Sequence, residues 1–321
     1  MPRIRRLPAT KYLTTAKYAL ADYAAKDFRY PFYCSFKLLT RCDSHCEFCN
    51  VWKFPTPDMP TEKVLKIIDN IAESSIVLLS LEGGEPLLRK DIGQILQYIR
   101  TKSLYLLFTS SGKLFSKRPM KEYSRYIDFL HVSIDEGHGN LYLYDSLPEF
   151  VSWGPEVCIQ IVVRKEDLVN LESKISKCYT AGAKAVVMPA CNLPETPDLL
   201  PEITAFRDEV QRLKQKYPRT IITTDKYLQT LDAPHGCNAA SIIIDADGFL
   251  YYPCRTLMAK SIDVSKDSLM EFFTTEKATE CREMMSNCNI NCHWYQYFAT
   301  DSFLSIRSAL SSAKPYAADL I

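Results

Sequence analysis

Three cysteines lie close together in the segment CDSHCEFC, with the spacing Cys42-x3-Cys46-x2-Cys49. Purely structural zinc sites and cubane iron–sulfur clusters use four protein ligands. Three thiolates can instead hold three irons of a 4Fe–4S cube and leave one iron open, as catalytic metal sites do. The alternative is half of a zinc site completed from elsewhere, but zinc sites usually begin with C-x2-C pairs. The spacing therefore favours an iron–sulfur centre with an open iron.

The chain around this triad alternates strand-like and helix-like segments. Short apolar runs predict strands at 31–39, 75–83, 104–110, 127–134, 157–163 and 183–189, with amphipathic helices between them. Apolar strands separated by helices favour a parallel sheet that is buried on both faces. Six such repeats predict an α/β fold, either a doubly wound sheet or a barrel, and periodicity alone does not choose between them.

Polar or glycine-rich residues follow each predicted strand. The strand ends run into TRCDSHCEFC, EGGEP (82–86), TSSG (109–112), SIDEG (133–137), RKED (164–167) and PACN (189–192). In a doubly wound sheet and in a barrel alike, ligands bind at the C-terminal ends of the strands. We therefore expect these ends, including the cysteine triad, to form one site.

The triad and the segment after the second strand resemble the radical S-adenosylmethionine (radical SAM) superfamily. The matching residues are Cys42-x3-Cys46-x-Phe48-Cys49 and Gly83-Gly84-Glu85-Pro86. The resemblance extends over residues 31–190 and implies a partial (β/α)6 TIM-like barrel. It also implies a 4Fe–4S cluster with three cysteine ligands, whose open iron binds S-adenosylmethionine. One electron from the cluster would cleave the sulfonium, and the 5′-deoxyadenosyl radical would abstract hydrogen from a substrate.

The same resemblance implies contacts with S-adenosylmethionine. Gly83 and Gly84 would let backbone approach its methionyl end, and Glu85 would pair with its ammonium group. Further contacts are implied for the backbone of Phe48 with adenine, Ser133 and Asp135 with the ribose, and Arg164 with the carboxylate. Ser111 is a further candidate, although Ser110-Ser111-Gly112 stands where relatives often have Thr-Asn-Gly.

Five more cysteines lie between 237 and 292. This segment partly resembles the twitch and SPASM extensions of the same superfamily, which hold auxiliary iron–sulfur clusters. We predict one auxiliary 4Fe–4S cluster with Cys237, Cys254, Cys288 and Cys292 as ligands and Cys281 in reserve. Zinc is the alternative occupant. A fully ligated cluster would serve in electron transfer, whereas an open iron would anchor substrate.

Four segments follow from these patterns. They are an N-terminal amphipathic helix (1–30), the partial barrel (31–192), a linker with a helix that completes the barrel (193–235) and a small α+β iron–sulfur module (236–321). A hairpin is predicted at 241–254. The first helix carries an apolar stripe of Tyr12, Leu13, Ala16, Ala19, Leu20, Tyr23 and Ala24. We expect this stripe to pack on the body. Weak membrane-surface contact is the alternative, because Arg3, Arg5 and Arg6 precede it.

Four cysteines lie outside both clusters. Cys191 follows the sixth strand on the predicted site face, which makes it a candidate catalytic hydrogen-atom donor to a substrate radical. Cys34, Cys158 and Cys178 fall within strand or helix patterns and are expected in the core.

Composition excludes several classes of protein. The chain of 321 residues is 47% hydrophobic with a formal net charge of +1, which gives no electrostatic reason to expect nucleic acid as a partner. No apolar run reaches the roughly 18 residues of a membrane span, and charges at Lys11, Lys17 and Asp22 interrupt any secretory signal. We therefore expect a cytoplasmic protein.

These observations predict a radical SAM enzyme supplied with electrons by an external ferredoxin- or flavodoxin-type donor. Its substrate stays open between a peptide and a small molecule, including a lipid or sugar precursor. The alternative is a non-catalytic iron–sulfur or zinc protein that binds or carries electrons. The three-ligand triad and the Gly-Gly-Glu-Pro segment favour the enzyme.

Overall fold

A computed structural model describes residues 5–191, 193, 195–232 and 236–299. Expectations for Arg3, for residue 192 and for residues 300–321 lie outside these ranges. The strands are β1 (Tyr33–Lys37), β2 (Leu78–Glu82), β3 (Tyr105–Ser110), β4 (Phe129–Ser133), β5 (Glu156–Val163), β6 (Lys184–Pro189), β7 (Ser241–Ile244), β8 (Phe249–Tyr251) and β9 (Lys260–Asp263). The helices are α1 (Ala9–Ala25), α2 (Thr61–Glu73), α3 (Ile92–Arg100), α4 (Met120–Tyr123), α5 (Leu147–Ser152), α6 (Leu171–Ala181), α7 (Ile203–Lys216), α8 (Asp225–Gln229), α9 (Leu269–Phe273), α10 (Glu276–Ser286) and α11 (Tyr295–Ala299).

All these strands form one sheet, in the order β6-β5-β4-β3-β2-β1-β7-β8-β9. The first six strands are parallel and follow one another without a reversal. A doubly wound sheet would reverse its strand order at a switch point. The observed order is instead that of a partial, open barrel, which confirms the predicted fold class and settles the choice that periodicity left open.

The helices between the strands cover one face of the sheet. In α2 the buried residues are Val64, Ile67, Ile68 and Ile71, and in α3 they are Ile92, Ile95, Leu96 and Ile99. This spacing of three and four residues puts each set on a single helix face. Because the helices bury one face of the sheet, the opposite face is left to line the barrel interior.

The predicted hairpin is confirmed as β7 and β8, which pair antiparallel. β7 also pairs parallel with β1, where Tyr33 lies opposite Ser241. The sheet of the barrel therefore continues without interruption into the segment that was predicted as a separate module.

Helix α1 packs with its polar side inward. Its buried residues are Lys11 and Asp22, while every member of the predicted apolar stripe is exposed. The Lys11 ammonium donates to the carbonyls of Ala72 and Ser74 at 3.3 and 3.2 Å, at the C-terminal end of α2, where cations are favoured. The prediction that the stripe packs on the body is therefore wrong, because these polar contacts orient the helix.

Candidate active site

The cysteine triad lies in the loop that follows β1. Cys46 is buried, and Cys42 and Cys49 are half-buried. The Ser44 backbone N–H donates to the Cys42 sulfur at 3.3 Å, and the Cys49 backbone N–H donates to the Cys46 carbonyl at 3.1 Å. All three cysteines line a cavity of about 1000 Å³ inside the barrel. The loop thus presents three thiols to one shared cavity.

The two glycines after β2 pack against the backbone that leads into this loop. A Cβ atom on Gly84 would lie 2.0 Å from the carbonyl oxygen of Arg41, and one on Gly83 would lie 2.5 Å from that of Leu39. The Gly84 backbone N–H donates to the Leu39 carbonyl at 2.7 Å. The implied approach of a ligand is therefore not needed to explain these glycines, because their own chain leaves no room for a side chain. Both also line the cavity.

Glu85 is fully buried, and its carboxylate is engaged by its own chain. It accepts hydrogen bonds from the hydroxyls of Ser110 and Ser111 at 3.0 Å and from the backbone N–H groups of Leu87 and Ser111 at 3.1 and 2.8 Å. Burial raises the pKa of Glu85, and these hydrogen bonds act in the opposite direction. Glu85 lies behind the residues that line the cavity and joins the ends of β2 and β3.

The end of β4 contributes Ser133 to the cavity and places Asp135 behind it. The buried Asp135 carboxylate accepts from the backbone N–H of His138 at 2.9 Å and from that of Val162 at 3.1 Å, and it contacts the His138 ring nitrogen at 2.8 Å. His138 itself lines the cavity, with its ring 5.3 Å from that of Phe48. Asp135 therefore positions a histidine that the sequence analysis did not single out.

Arg164 is engaged in ion pairs with three carboxylates. They belong to Asp167 at 2.6 Å, Glu166 at 3.2 Å and Glu47 at 3.5 Å. Hydrogen bonding to Asp167 raises the pKa of Arg164 further above its usual range. Arg164 is not among the residues that line the cavity.

The predicted site residues thus fall into two groups. Those that line the cavity are Cys42, Cys46, Phe48, Cys49, Gly83, Gly84, Ser111, Ser133 and Cys191. Glu85, Asp135 and Arg164 lie outside the lining. The contacts of all these residues with S-adenosylmethionine stay predictions.

A charged group that the sequence motifs did not indicate lies at the same end of the cavity and is formed by Lys37, Glu82 and Arg255. Burial, reinforced by Arg255, lowers the pKa of Lys37 to about 8, against the opposing effect of Glu82. The Arg255 guanidinium donates to Asn50 at 2.9 Å. The period-two pattern of β1 could have identified Lys37, because it shares a strand face with Tyr33.

Three of the predicted auxiliary cysteines lie close enough for their thiols to interact electrostatically. Burial raises the pKa of Cys254, and the thiols of Cys292 and Cys288 raise it further. Burial likewise raises the pKa of the Tyr297 hydroxyl, with further contributions from Cys254, Cys237 and Cys292. The donors in this neighbourhood are thiols, as an iron–sulfur cluster requires.

Cys281 lies apart from these four thiols. It is buried on α10 beside Tyr252, where burial raises its pKa and its charged neighbours are Lys277, Glu280 and Arg282. Within the part of the chain that the structure describes, no group of three or more His, Cys, Asp or Glu side chains is arranged to hold a metal ion.

Cys191 connects the cavity to the auxiliary segment. Its thiol lies in the cavity lining and donates to the backbone carbonyl of His293 at 3.3 Å, one residue after Cys292. Trp294 and Tyr295, which follow directly, line the cavity too. The segment that carries Cys292 is therefore also part of the cavity wall.

None of the helices within the described ranges is long and apolar enough to cross a membrane.

Residues 36–145 match the family model of the radical SAM superfamily. An S-adenosylmethionine-dependent nucleotide dehydratase of Lacinutrix mariniflava is 24% identical over 168 residues, which are 44% of this chain and 35% of the relative. A GTP 3′,8-cyclase of Lactiplantibacillus plantarum is 30% identical over 113 residues, which are 32% of this chain and 33% of the relative. The chain thus spans about a third of the length of these curated relatives.

The fold is similar to that of Streptococcus suis SuiB bound to S-adenosylmethionine. The TM-score is 0.68 at 14% identity, and the match covers 84% of this chain and 72% of SuiB. SuiB has also been solved with its precursor peptide SuiA, with a TM-score of 0.68 at 13% identity and a match that covers 86% of this chain and 73% of that one.

Proposed function

We propose that this chain, which carries a radical SAM domain, is an enzyme that reductively cleaves S-adenosylmethionine and abstracts a hydrogen atom from a substrate. The observation that carries the proposal is the shared cavity, where Cys42, Cys46 and Cys49 lie beside Gly83 and Gly84. A non-catalytic iron–sulfur or zinc protein would have no use for three thiols that open into a chamber of about 1000 Å³.

The donor set fits the implied cofactors by its chemistry, because three thiols open into one cavity, although no three of the described side chains converge on a single metal ion. Cys42, Cys46 and Cys49 would hold a 4Fe–4S cluster, which supplies one electron and an open coordination position when bound. Phe48, together with the glycines and Ser111 and Ser133 of the lining, would contact S-adenosylmethionine. The charged group of Lys37, Glu82 and Arg255 would set the electrostatic potential around the cofactors at this end of the cavity. The surrounding barrel would keep water from a carbon radical.

We assign the auxiliary cluster to Cys237, Cys254, Cys288 and Cys292. The wall shared between Cys191, His293 and the segment after Cys292 supports a role in passing an electron between that cluster and the cavity. An external ferredoxin- or flavodoxin-type protein would supply the electrons. In this division residues 31–192 would bind S-adenosylmethionine, and the segment from 236 onward would hold the auxiliary cluster.

The test is anaerobic reconstitution followed by dithionite reduction and addition of S-adenosylmethionine. We expect 5′-deoxyadenosine and methionine, and about eight irons per chain, four for each cubane. The Cys42→Ala/Cys46→Ala/Cys49→Ala variant should hold about four irons and form no 5′-deoxyadenosine. Cys158→Ala/Cys178→Ala, which alters two buried core cysteines, is the matched control. A protein that binds only zinc, or that forms no 5′-deoxyadenosine, contradicts the proposal.

A further inference from the structure

The cavity extends through the barrel from one end of its strands to the other. At the upper end it is lined by the cysteine loop and the glycines after β2. At the lower end it is lined by the first residues of several strands, which are Tyr33, Leu78, Tyr105, Phe129 and Glu156. Closed TIM barrels fill this space with layers of side chains. Here β5 alone has eight residues, roughly 26 Å of strand at 3.3 Å per residue, so the space is long.

The lower half of this channel is mainly apolar. Its lining includes Phe32, Leu78, Leu107, Phe129, Val186 and Ile222. Farther up, the His131 ring nitrogen and the Gln160 side-chain amide form a hydrogen bond of 2.9 Å with each other. These two polar groups are therefore less available to a ligand. Glu156 is buried in the lower wall. A long channel of this composition fits an extended hydrocarbon chain better than a compact polar molecule.

A cationic group lies at the lower end of the channel. The Arg5 guanidinium forms an ion pair with Asp128 at 3.4 Å and donates to the Arg100 carbonyl at 2.9 Å. Its Nη2 atom is buried without a hydrogen-bond partner among the residues that the structure describes. A buried donor left in this state costs free energy unless a ligand completes it. Arg6, which also lines this end, is exposed. An anionic group would satisfy both residues.

Helix α1 lies beside this lower mouth and turns its apolar face outward. The hydroxyl of Tyr12 shares a 2.6 Å hydrogen bond with that of Tyr105 in the channel wall. Leu13, Leu20 and Tyr23 are 70%, 69% and 76% exposed. All three side chains would contact an apolar layer that lies against this face of the helix.

The exposed charged residues between 5 and 26 are all cationic. Arg6, Lys17 and Lys26 are exposed, whereas Asp22, the single acidic residue between 5 and 26, is buried. An outward apolar stripe flanked by cations complements an anionic lipid surface.

We infer that the substrate is an amphiphile with a long apolar chain and an anionic head, which enters the barrel chain-first from an anionic lipid surface on which α1 lies. The head would stay at Arg5 and Arg6, and the far end of the chain would reach the cysteine loop. This inference rests on the proposed function and names the substrate class for the same site. It assigns hydrogen abstraction to a carbon remote from the head.

The channel is tested by isothermal titration of the reconstituted protein with butyl, octyl and dodecyl phosphate, each below its critical micelle concentration. We expect affinity to rise with chain length, up to roughly fourfold for each methylene. Leu107→Trp should abolish the gain from octyl to dodecyl, and Arg5→Gln should weaken all three by a similar factor. Val169→Trp, at an 86% exposed position, is the control. Affinity that does not depend on chain length, or tighter binding of a short apolar peptide, overturns the inference.

The docking surface is tested by sedimentation of the reconstituted protein with lipid vesicles. We expect binding to vesicles of equal parts phosphatidylglycerol and phosphatidylcholine, and little binding to phosphatidylcholine alone. Leu13→Gln/Leu20→Gln should lose at least tenfold in affinity. Val169→Gln/Tyr179→Gln, which removes two exposed apolar side chains elsewhere, should keep it. No vesicle binding by the wild type overturns the inference, as does a change of oligomeric state as the only effect of the α1 substitutions.

The two proposals fail separately. Formation of 5′-deoxyadenosine by the reduced wild type, without any alkyl phosphate, tests radical SAM chemistry alone. A protein that cleaves S-adenosylmethionine but shows no chain-length dependence contradicts the channel and leaves the proposed function standing. A protein with the chain-length series but no cleavage contradicts the proposed function.

Discussion

The backbone N–H of Ser111 donates to the Glu85 carboxylate over 2.8 Å, and this bond joins the end of β3 to the end of β2. A Glu85→Gln substitution would turn an amide N–H₂ toward donors. We expect a loss of roughly 2 kcal/mol in the free energy of unfolding, measured by urea titration, because buried donors lose their acceptor. The control is Glu271→Gln at an exposed position on α9, which should change the free energy of unfolding little. Unchanged stability together with lost S-adenosylmethionine binding would show that Glu85 contacts the ligand directly.

The Gly84→Ala substitution should disturb the cysteine loop. The added Cβ would meet the Arg41 carbonyl oxygen at 2.0 Å, and backbone cannot yield as a flexible side chain does. We expect iron content after reconstitution to fall from about eight to about four per chain. Gly182→Ala is the control, because an added Cβ meets nothing within 4 Å, while alanine at the φ of 75° carries backbone strain that does not involve the cysteine loop. Full iron content in Gly84→Ala would refute this account of the glycine.

The position of Cys281 predicts that it is dispensable for the auxiliary cluster. Its charged neighbours are Lys277, Glu280 and Arg282, whereas Cys254 is influenced by Cys292 and Cys288. Cys281→Ser should therefore keep about eight irons after reconstitution, and Cys288→Ser should fall toward about four.

Iron analysis and the visible absorbance of the iron–sulfur clusters distinguish the two cysteine variants. The reverse pattern would make Cys281 a ligand.

Stability should depend on the protonation of His131. Burial lowers the pKa of His131 from 6.5 to about 4, so the folded state disfavours its charged form. The contribution of neutral His131 to the free energy of unfolding is fully present above the unfolded pKa of 6.5. It is lost as the pH falls toward 4, because the unfolded chain then binds a proton that the folded chain does not. Over that window the wild type should lose up to about 1.4 kcal/mol per pH unit relative to His131→Gln.

Urea titrations of both proteins between pH 7.5 and 5 measure this difference, because groups common to both cancel. A constant difference across that range would mean that His131 titrates normally, through water in the cavity.

The alternation of strands and helices was predictable because buried parallel strands leave short apolar runs in the sequence. The hairpin followed equally from Ile242 to Ile244, the turn at Gly248 and the apolar residues after it. The orientation of α1 was not predictable, because a few contacts of Lys11 outweigh the burial of its apolar stripe. The engagement of Glu85 by Ser110 and Ser111 depends on how two strand ends meet, which no local pattern contains.

The parallel pairing of β1 with β7 has a consequence for biosynthesis. Tyr33 of β1 pairs with Ser241 of β7. This edge of β1 therefore stays without its partner strand until some two hundred further residues have left the ribosome. Until then the first strand offers unpaired N–H and C=O groups to any other nascent strand. In a chain truncated before residue 236, which lacks β7, this edge of β1 would stay permanently unpaired. We expect such a fragment to aggregate instead of forming a free-standing barrel.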